Sequence, residues 1–366
     1  LVAAIKTNPQ KILQDYGRLM ELADYQKTLS KSRATILKLN LSWSMYYPAC
    51  STEPWQLEGV VKKLQNDGYH ELHPVENRTV VTDVWKGAKG NKWLPILKKY
   101  NLKYEPLTET KWVNYKPKAN MFALEKVFSP KYGTKHRAFA KPHQIPAMFI
   151  GKDIVHLPTL KTHGHTTMTG AMKNAFGGLI TTRRHHCHKQ IHEVLVDLLQ
   201  IQQEIHPGIF AVMDGTVAGD GAGPRTMLPK IKNTILASGD QVAIDAVAAH
   251  LMGFDPMKIG FIKLAHDLNL GCGDIDQIDF AGLSRKEILK TNFHFSTGKS
   301  PVIFWDQMFR KGMLSFVEPL LFHTGLFNLA VFASAFYHDN VWYNLVGRSR
   351  INRFNQTPWG KLWMRY

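Results

Sequence analysis

Residues 157–179, LPTLKTHGHTTMTGAMKNAFGGL, set Lys161, His163, His165 and Lys173 among threonines and glycines. Ammonium groups neutralise carboxylate or phosphate, and a histidine side chain carries a proton near neutral pH. Leu160 closes an apolar run that reads as a strand, His163 to Thr167 read as a polar turn, and Thr169 is placed to N-cap a helix containing Lys173 and Asn174. A strand end aimed at a helix amino end is the usual ligand crevice of an open α/β sheet, and free helix N–H groups there favour an anion. The segment therefore predicts a pocket for an acidic small molecule. In it Lys161 and Lys173 hold the negative charge, Thr169, Gly170 and Asn174 contribute contacts, and His163 with Lys173 carries the proton chemistry. The same residues would also suit a solvated turn followed by an exposed helix face.

A second cluster, TTRRHHCHKQIHEV, places His188 and His192 four residues apart, one turn of a helix, with Cys187 and Glu193 beside them. With His163 these two histidines form a candidate transition-metal set, although a basic surface helix would hold the same residues. A third stretch, VMDGTVAGDGAGPR, follows a predicted strand and carries Asp214, Gly215 and Asp220. Its glycines would admit close backbone approach and its acids would orient the basic groups, yet it lacks the G-x-G-x-x-G pattern and would serve equally as a tight loop. In ASGDQVAIDAVAAHLMGFDP, Asp240 reads as an N-cap, and Asp245 as a partner for one of the lysines.

These residues must be carried by α/β elements. Residues 1–33 have apolar positions at helical spacing and read as an N-terminal helical arm. ATILKLNLSW alternates as a strand, with Ile36 and Lys38 on one side and Leu37, Leu39 and Leu41 on the other. A helix over 54–67 and a strand over 69–76 complete a β-α-β opening, which favours a parallel sheet with right-handed crossovers. Residues 85–146, rich in Lys, Pro and aromatics, read as an insertion of strand and loop. A strand through Ile154 and Val155, a helix over 188–204, strands at GIFAVMDG and NTILASGD and a helix at QVAIDAVAAHLMGF form a second α/β series. The expected fold is α/β, with mixed, mostly parallel sheets and flanking helices. A helical, apolar extension occupies 271–366.

Within that extension, residues 319–337 contain no Asp, Glu, Lys or Arg. This run suits either a buried or partner-facing helical hairpin or membrane insertion and surface anchoring. Beyond it, Arg348, Arg350, Arg353, Lys361 and Arg365 mingle with Trp342, Trp359 and Trp363, as at a lipid headgroup boundary or a protein-docking face.

The chain has 366 residues, 44% of them hydrophobic, enough for a large buried core. Its 46 Lys and Arg against 29 Asp and Glu give a formal charge of +17, which favours anionic partners. No zinc-finger spacing, Arg-rich helix or aromatic ribonucleoprotein motif accompanies that charge, which argues against sequence-specific nucleic-acid binding. Three scattered cysteines, without a CxxC pair, exclude a cluster held by this chain's cysteines alone and favour a reducing compartment. The expected location is cytoplasmic, peripheral to the membrane if residues 304–366 dock there. The first residue is not Met, which leaves room for a removed leader.

LPTLKTH, TGAMKNAFGG, MDGTVAGDGAGP and SGDQVAIDAVAAHLMGFDP, in that order, resemble the successive signatures of the domain-of-unknown-function 362 family across roughly residues 34–270. Many members carry a ferredoxin-type segment with clustered cysteines; this chain does not, so the resemblance implies no built-in iron–sulfur cluster. The His163 and Lys173 spacing is also similar to that of the nickel-pincer lactate racemase. That likeness implies a cofactor-attaching or substrate-binding role for Lys173, a metal-ligand or proton-carrying role for His163, and His188 as a further histidine. Two functions follow: an enzyme or enzyme-derived binder of an acidic small molecule, doing proton-transfer, isomerisation or metal-assisted redox chemistry, or a non-catalytic accessory subunit docking on a membrane complex through its C-terminal extension.

Overall fold

The computed structural model describes residues 1–124, 143–181, 184–322 and 324–366. Twelve strands follow in chain order: β1 Val2–Lys6, β2 Thr35–Lys38, β3 Leu72–Glu76, β4 Glu105–Pro106, β5 Trp112–Asn114, β6 Gln144–Pro146, β7 Asp153–His156, β8 Thr159–His163, β9 Thr167–Met168, β10 Ile209–Asp220, β11 Leu228–Ser238 and β12 Phe280–Gly282. Ten of them form one mixed sheet in the order β12-β1-β11-β10-β7-β2-β3-β4, with β8 pairing β10 and β9. The central strands β2, β3, β7 and β10 run parallel, as the β-α-β pattern predicts. Helices cover both faces. Ile36 and Ile154 enter one core, and Leu37, Leu39 and Val155 enter the other, so the alternation in ATILKLNL maps onto the two faces of one buried strand.

The amino terminus differs from the expected arm. Residues Val2–Lys6 are a sheet strand, antiparallel to β11 and parallel to β12, and only Ile12–Leu22 forms the long helix. Val2, Ala3 and Ala4 are fully buried, and a short run apolar on both faces carries no periodicity by which to tell strand from helix. The segment 85–146 also departs from a strand-and-loop insertion. It begins with the helices Val84–Gly90 and Trp93–Lys99 and supplies β4 to the main sheet before the β5–β6 pair; residues 125–142 of it lie outside the described residues.

Most of the glycine-rich stretch, for which a tight loop is one alternative, is strand: residues 212–220 continue β10, which pairs with β11 as far as Asp220↔Leu228 and shifts register between Gly215 and Val217. Close packing explains the glycines: a Cβ on Gly219 would fall 2.3 Å from the Met227 sulfur and 3.0 Å from the Lys161 Cβ.

The helix that bears Lys173 spans Ala171–Leu179, and its N-cap is Gly170 rather than Thr169. Thr169 instead donates its hydroxyl to the carbonyls of Thr159 and Lys161. The cap comes from the core helix Gln241–Met252, whose Asp245 carboxylate accepts the N–H groups of Ala171 (2.6 Å) and Met172 (3.0 Å). Asp245 therefore does not pair with a lysine. Gly170 is required by space, because a Cβ there would lie 2.2 Å from the Asp245 carboxylate. Asp240 caps its own helix through Val242 and Ala243, as expected.

The C-terminal extension folds back over the sheet. The tail tryptophans are docked on the protein rather than arranged as a headgroup belt. Trp359 is buried against Trp55 with its indole N–H on Asn233, Trp363 stacks on Tyr46 at 3.9 Å, and Trp342 packs on Trp43 and Tyr47. No single helix is long and apolar enough to cross a membrane among the described residues, but the stretches 315–322 and 326–355, bent by 95°, meet the requirement together.

Replacing Asp245 with Ala should leave two buried donors unpaired, at about 1–3 kcal/mol each. Thermal denaturation should show a clear fall in Tm; an unchanged Tm would remove Asp245 as the anchor of the site helix.

Candidate functional site

A cavity of about 520 Å³ lies beyond the carboxyl ends of β2, β3 and β8, roofed by the C-terminal helices Pro301–Arg310, Glu318–Phe322 and Leu326–Phe336. This is the expected position for a ligand in an open α/β sheet. Each strand delivers one polar group to the floor because its chain emerges from the sheet there: Lys38 from β2, Glu76 from β3 and His163 from β8. The site helix adds Lys173 and Asn174, the 3₁₀ turn Arg184–Gln190 adds Arg184 and His188, and the turn after β8 adds His165. Thr169 and Gly170 also line the wall.

Most of these charges are already matched. Lys38 donates to Glu76 at 2.7 Å, and both are buried. Arg310 bonds both oxygens of Asp306 at 3.0 Å. Arg184 donates to the carbonyls of Phe176 and Arg78. Lys173 has no acidic partner among the described residues, nor do Arg184 and Arg225, which also line the cavity; the Lys173 ammonium lies over the Phe176 ring at 5.4 Å. Burial, followed by the charges of Lys161 and Arg184, lowers its pKa from 10.5 to about 7. Such a group exchanges a proton readily at neutral pH.

Lys161 lies below the floor rather than in it. It is fully buried, donates to Asn40 Oδ1 at 2.7 Å, Ser42 Oγ at 3.1 Å and the Cys50 carbonyl, and burial lowers its pKa to about 8. Asn174 joins the strand ends, its amide donating to the Lys38 carbonyl at 2.9 Å. The His163 Nδ1 accepts the His165 backbone N–H at 3.1 Å, which assigns the ring proton to Nε2 and makes a neutral His163 a hydrogen-bond donor. Burial, then Lys173, pushes the His163 pKa well down, which holds the ring neutral with its Nε2–H as a donor.

The metal set reads differently in three dimensions. His188 sits in the 3₁₀ turn and His192 in the first turn of the following α-helix, Ile191–Ile205, so the one-turn spacing of a continuous helix does not hold. His192 Nδ1 instead accepts the Phe261 N–H at 3.2 Å. The ligand atoms that gather, all within 4.8 Å of one another, belong to His165, His188 and Asp306. The two imidazoles stack at 4.7 Å, and the His188 Nδ1 is buried without a hydrogen-bond partner. Burial lowers the His165 pKa to about 4 and that of His188 well below its usual value, so both rings are neutral at pH 7.

Three of the expected ligand acids point elsewhere. Asp214 accepts from Tyr16 (2.5 Å), Trp55 (2.9 Å) and Thr216 on the opposite face of the sheet, next to Gly215 in β10. Asp220 pairs with Lys230 at 2.7 Å and accepts the Ser296 N–H. Asp245 is the helix cap. Asp306 and Arg310 had one signal in the sequence, an oppositely charged pair spaced i,i+4 in the mostly apolar PVIFWDQMFR. Nothing local pointed to Lys38, Glu76 or Arg184, because their proximity depends on strand order.

Comparison with known proteins bears on the whole arrangement. A thylakoid-associated protein of Synechocystis sp. is 26% identical over 182 residues, which cover 47% of this chain and 56% of the relative. The chain thus spans about half the length of the curated relative it matches. No solved structure matches. The family model for a domain of unknown function, DUF362, matches residues 35–250. That span runs from β2 to the helix of Asp245 and includes the strand ends, the site helix and its cap, and on this match over more than half its length the chain belongs to the DUF362 family.

Proposed function

We propose that this protein binds an acidic small molecule on the cavity floor and uses Lys173 as the proton-exchanging group. One observation carries the reading: Lys173, which has no acid partner among the described residues, lines a large cavity beside Arg184 and Arg225, which form no ion pair there either, while Lys38–Glu76 and Arg310–Asp306 are matched. A ligand carboxylate or phosphate would supply the missing counter-charge, and the Nε2–H of His163 would add a neutral donor. The residues facing Lys173 are the histidines 163, 165 and 188, the cations Lys161 and Arg184, and the internally neutralised pairs Lys38–Glu76 and Asp306–Arg310. Proton transfer or isomerisation next to an anionic group is the chemistry this set supports.

The sign of the pH dependence follows from Lys173. Its pKa of about 7 lies below the ordinary 10.5, so the ammonium form prevails below pH 7 and is lost above it. Isothermal titration with inorganic phosphate and acetate should therefore find affinity strongest near pH 6 and falling as pH rises through 7. Lys173→Met should weaken binding at least about tenfold and remove the slope. A pH slope that persists in Lys173→Met would move the role to another group.

A second reading is favoured by the unpartnered, buried Nδ1 of His188. Two neutral imidazoles and a carboxylate are a donor set suited to zinc, cobalt or nickel. His165, His188 and Asp306 would hold the ion, which would supply Lewis-acid chemistry to a bound anion. His163 and His192 already use their Nδ1 atoms as acceptors of backbone N–H groups. Cobalt(II) titration followed by visible absorption should show one tight site, lost in His188→Ala and retained in His192→Ala. Equal loss in both variants would restore the pairing expected from sequence.

The membrane is the proposed place of action. Leu320, Leu326, Leu329, Phe332 and Phe336 are all exposed on the C-terminal helices, and the Synechocystis relative is thylakoid-associated by name. The bent helix pair and the basic charge of the chain suit an anionic bilayer surface. Co-sedimentation with anionic vesicles should fall at least about tenfold in Leu329→Ser/Phe332→Ser. Unaltered sedimentation would reassign this face to a protein partner, the accessory-subunit reading.

A further inference from the structure

The helix Leu326–Phe336 is apolar apart from Asn328 and Ser334, and its two faces have different neighbours. Leu326, Leu329, Phe332 and Phe336 are exposed on the outside. Phe327, Ala330, Val331 and Ser334 line the cavity, where Phe309 and Phe322 extend the same apolar wall. The cavity is therefore divided. Its floor carries Lys173, His163 and Arg184, whereas its roof, beside the mutually paired Asp306 and Arg310, is largely hydrocarbon, part of it contributed by the helix that bears the exposed apolar surface. A small hydrophilic acid would satisfy the floor and leave the roof in contact with water, an arrangement that apolar burial opposes.

We propose that the cavity takes a single-chain acidic amphiphile drawn from a lipid surface, with its carboxylate or phosphate head at Lys173 and its hydrocarbon chain against Phe309, Phe322, Phe327, Ala330 and Val331. This rests on the anion reading of the floor and adds the substrate class. The volume of about 520 Å³ falls within the ~300–1,000 Å³ of small-molecule sites. Because the helix Leu326–Phe336 contributes to the roof inside and to the apolar surface outside, a chain leaving the bilayer would stay against apolar side chains on its way to the floor. The 95° bend before Leu326 sets this helix across the top of the cavity rather than continuing the preceding one.

The test uses the full chain. Displacement of fluorescent cis-parinarate measures the longer acids, decanoate and palmitate, and hexadecyl phosphate; isothermal titration measures butyrate and inorganic phosphate. Affinity should rise roughly fourfold per buried methylene until the chain fills the cavity. Val331→Trp should weaken palmitate at least about tenfold and leave butyrate unchanged, whereas Lys173→Gln should weaken both. Hexadecyl phosphate binding more tightly than palmitate would assign a phosphate head, and the reverse order a carboxylate, either result supporting the class. Lys173-dependent butyrate binding without any gain from chain length would overturn this inference while leaving the anion floor intact. If no acid of any length depends on Lys173, the floor reading itself fails. Palmitate binding indifferent to both Val331→Trp and the milder Ala330→Leu would mean adsorption outside the cavity and would overturn the inference too. Thermal melting of each variant confirms that the compared proteins are folded.

Discussion

The Asp245 carboxylate governs this site. A helix amino end at the edge of an α/β sheet would ordinarily present free N–H groups to an anion, and here the protein's own carboxylate accepts two of them. The consequence is geometric as well as electrostatic. The cap ties the site helix to the core helix Gln241–Met252, requires Gly170 at the contact, and places Lys173, in the same first turn, on the cavity wall. Anion recognition then has to come from side chains. Burial raises the Asp245 pKa to about 7, so capping by this group works against its own desolvation and is held by the two N–H bonds.

Charge matching around the cavity separates structural groups from available ones. Lys38 and Glu76 cancel each other across neighbouring parallel strands, and Arg310 and Asp306 cancel within one helix. Lys161 is dissolved in neutral oxygens beneath the floor, a stable arrangement for a buried ammonium. What remains is Lys173 with Arg184 and Arg225, which form no ion pair among the described residues, together with neutral histidines, of which His163 has its ring proton assigned by a backbone contact. The low pKa values of these histidines come first from burial, so the floor is dry enough for each remaining charge to act strongly on a ligand.

The C-terminal extension has two separate parts. The last helices are anchored by Trp359 and Trp363, and Arg350 donates to the Met227 carbonyl at 2.8 Å, so the basic, aromatic tail belongs to the body of the protein. The segment before it, from Phe304 to Phe336, keeps large apolar side chains outside. An eleven-residue π-helical stretch, Tyr337–Gly347, joins the two and packs Trp342 and Tyr343 on Trp43. The helix Leu326–Phe336 thereby contributes to the cavity roof on one side and to the exposed apolar surface on the other.

The sequence alone determined the α/β class, the parallel core from β2 to β10, the two faces of ATILKLNL and the family, because period, glycine placement and local motifs act over a few residues. It also identified His163, Lys173, Thr169, Gly170, Asn174 and His188, all of which line the cavity. Tertiary structure alone decided the rest. Val2–Lys6 joined the sheet because its pairing partners lie more than two hundred residues away, at Lys6↔Thr234. Asp214, Asp220 and Asp245 found other donors because the direction of a side chain depends on which face of a strand or helix meets which neighbour. His165 and His188 met Asp306 through a 3₁₀ turn and a roof helix that no local spacing relates. Local propensity reaches about one turn along the chain, whereas a site is made where distant elements end.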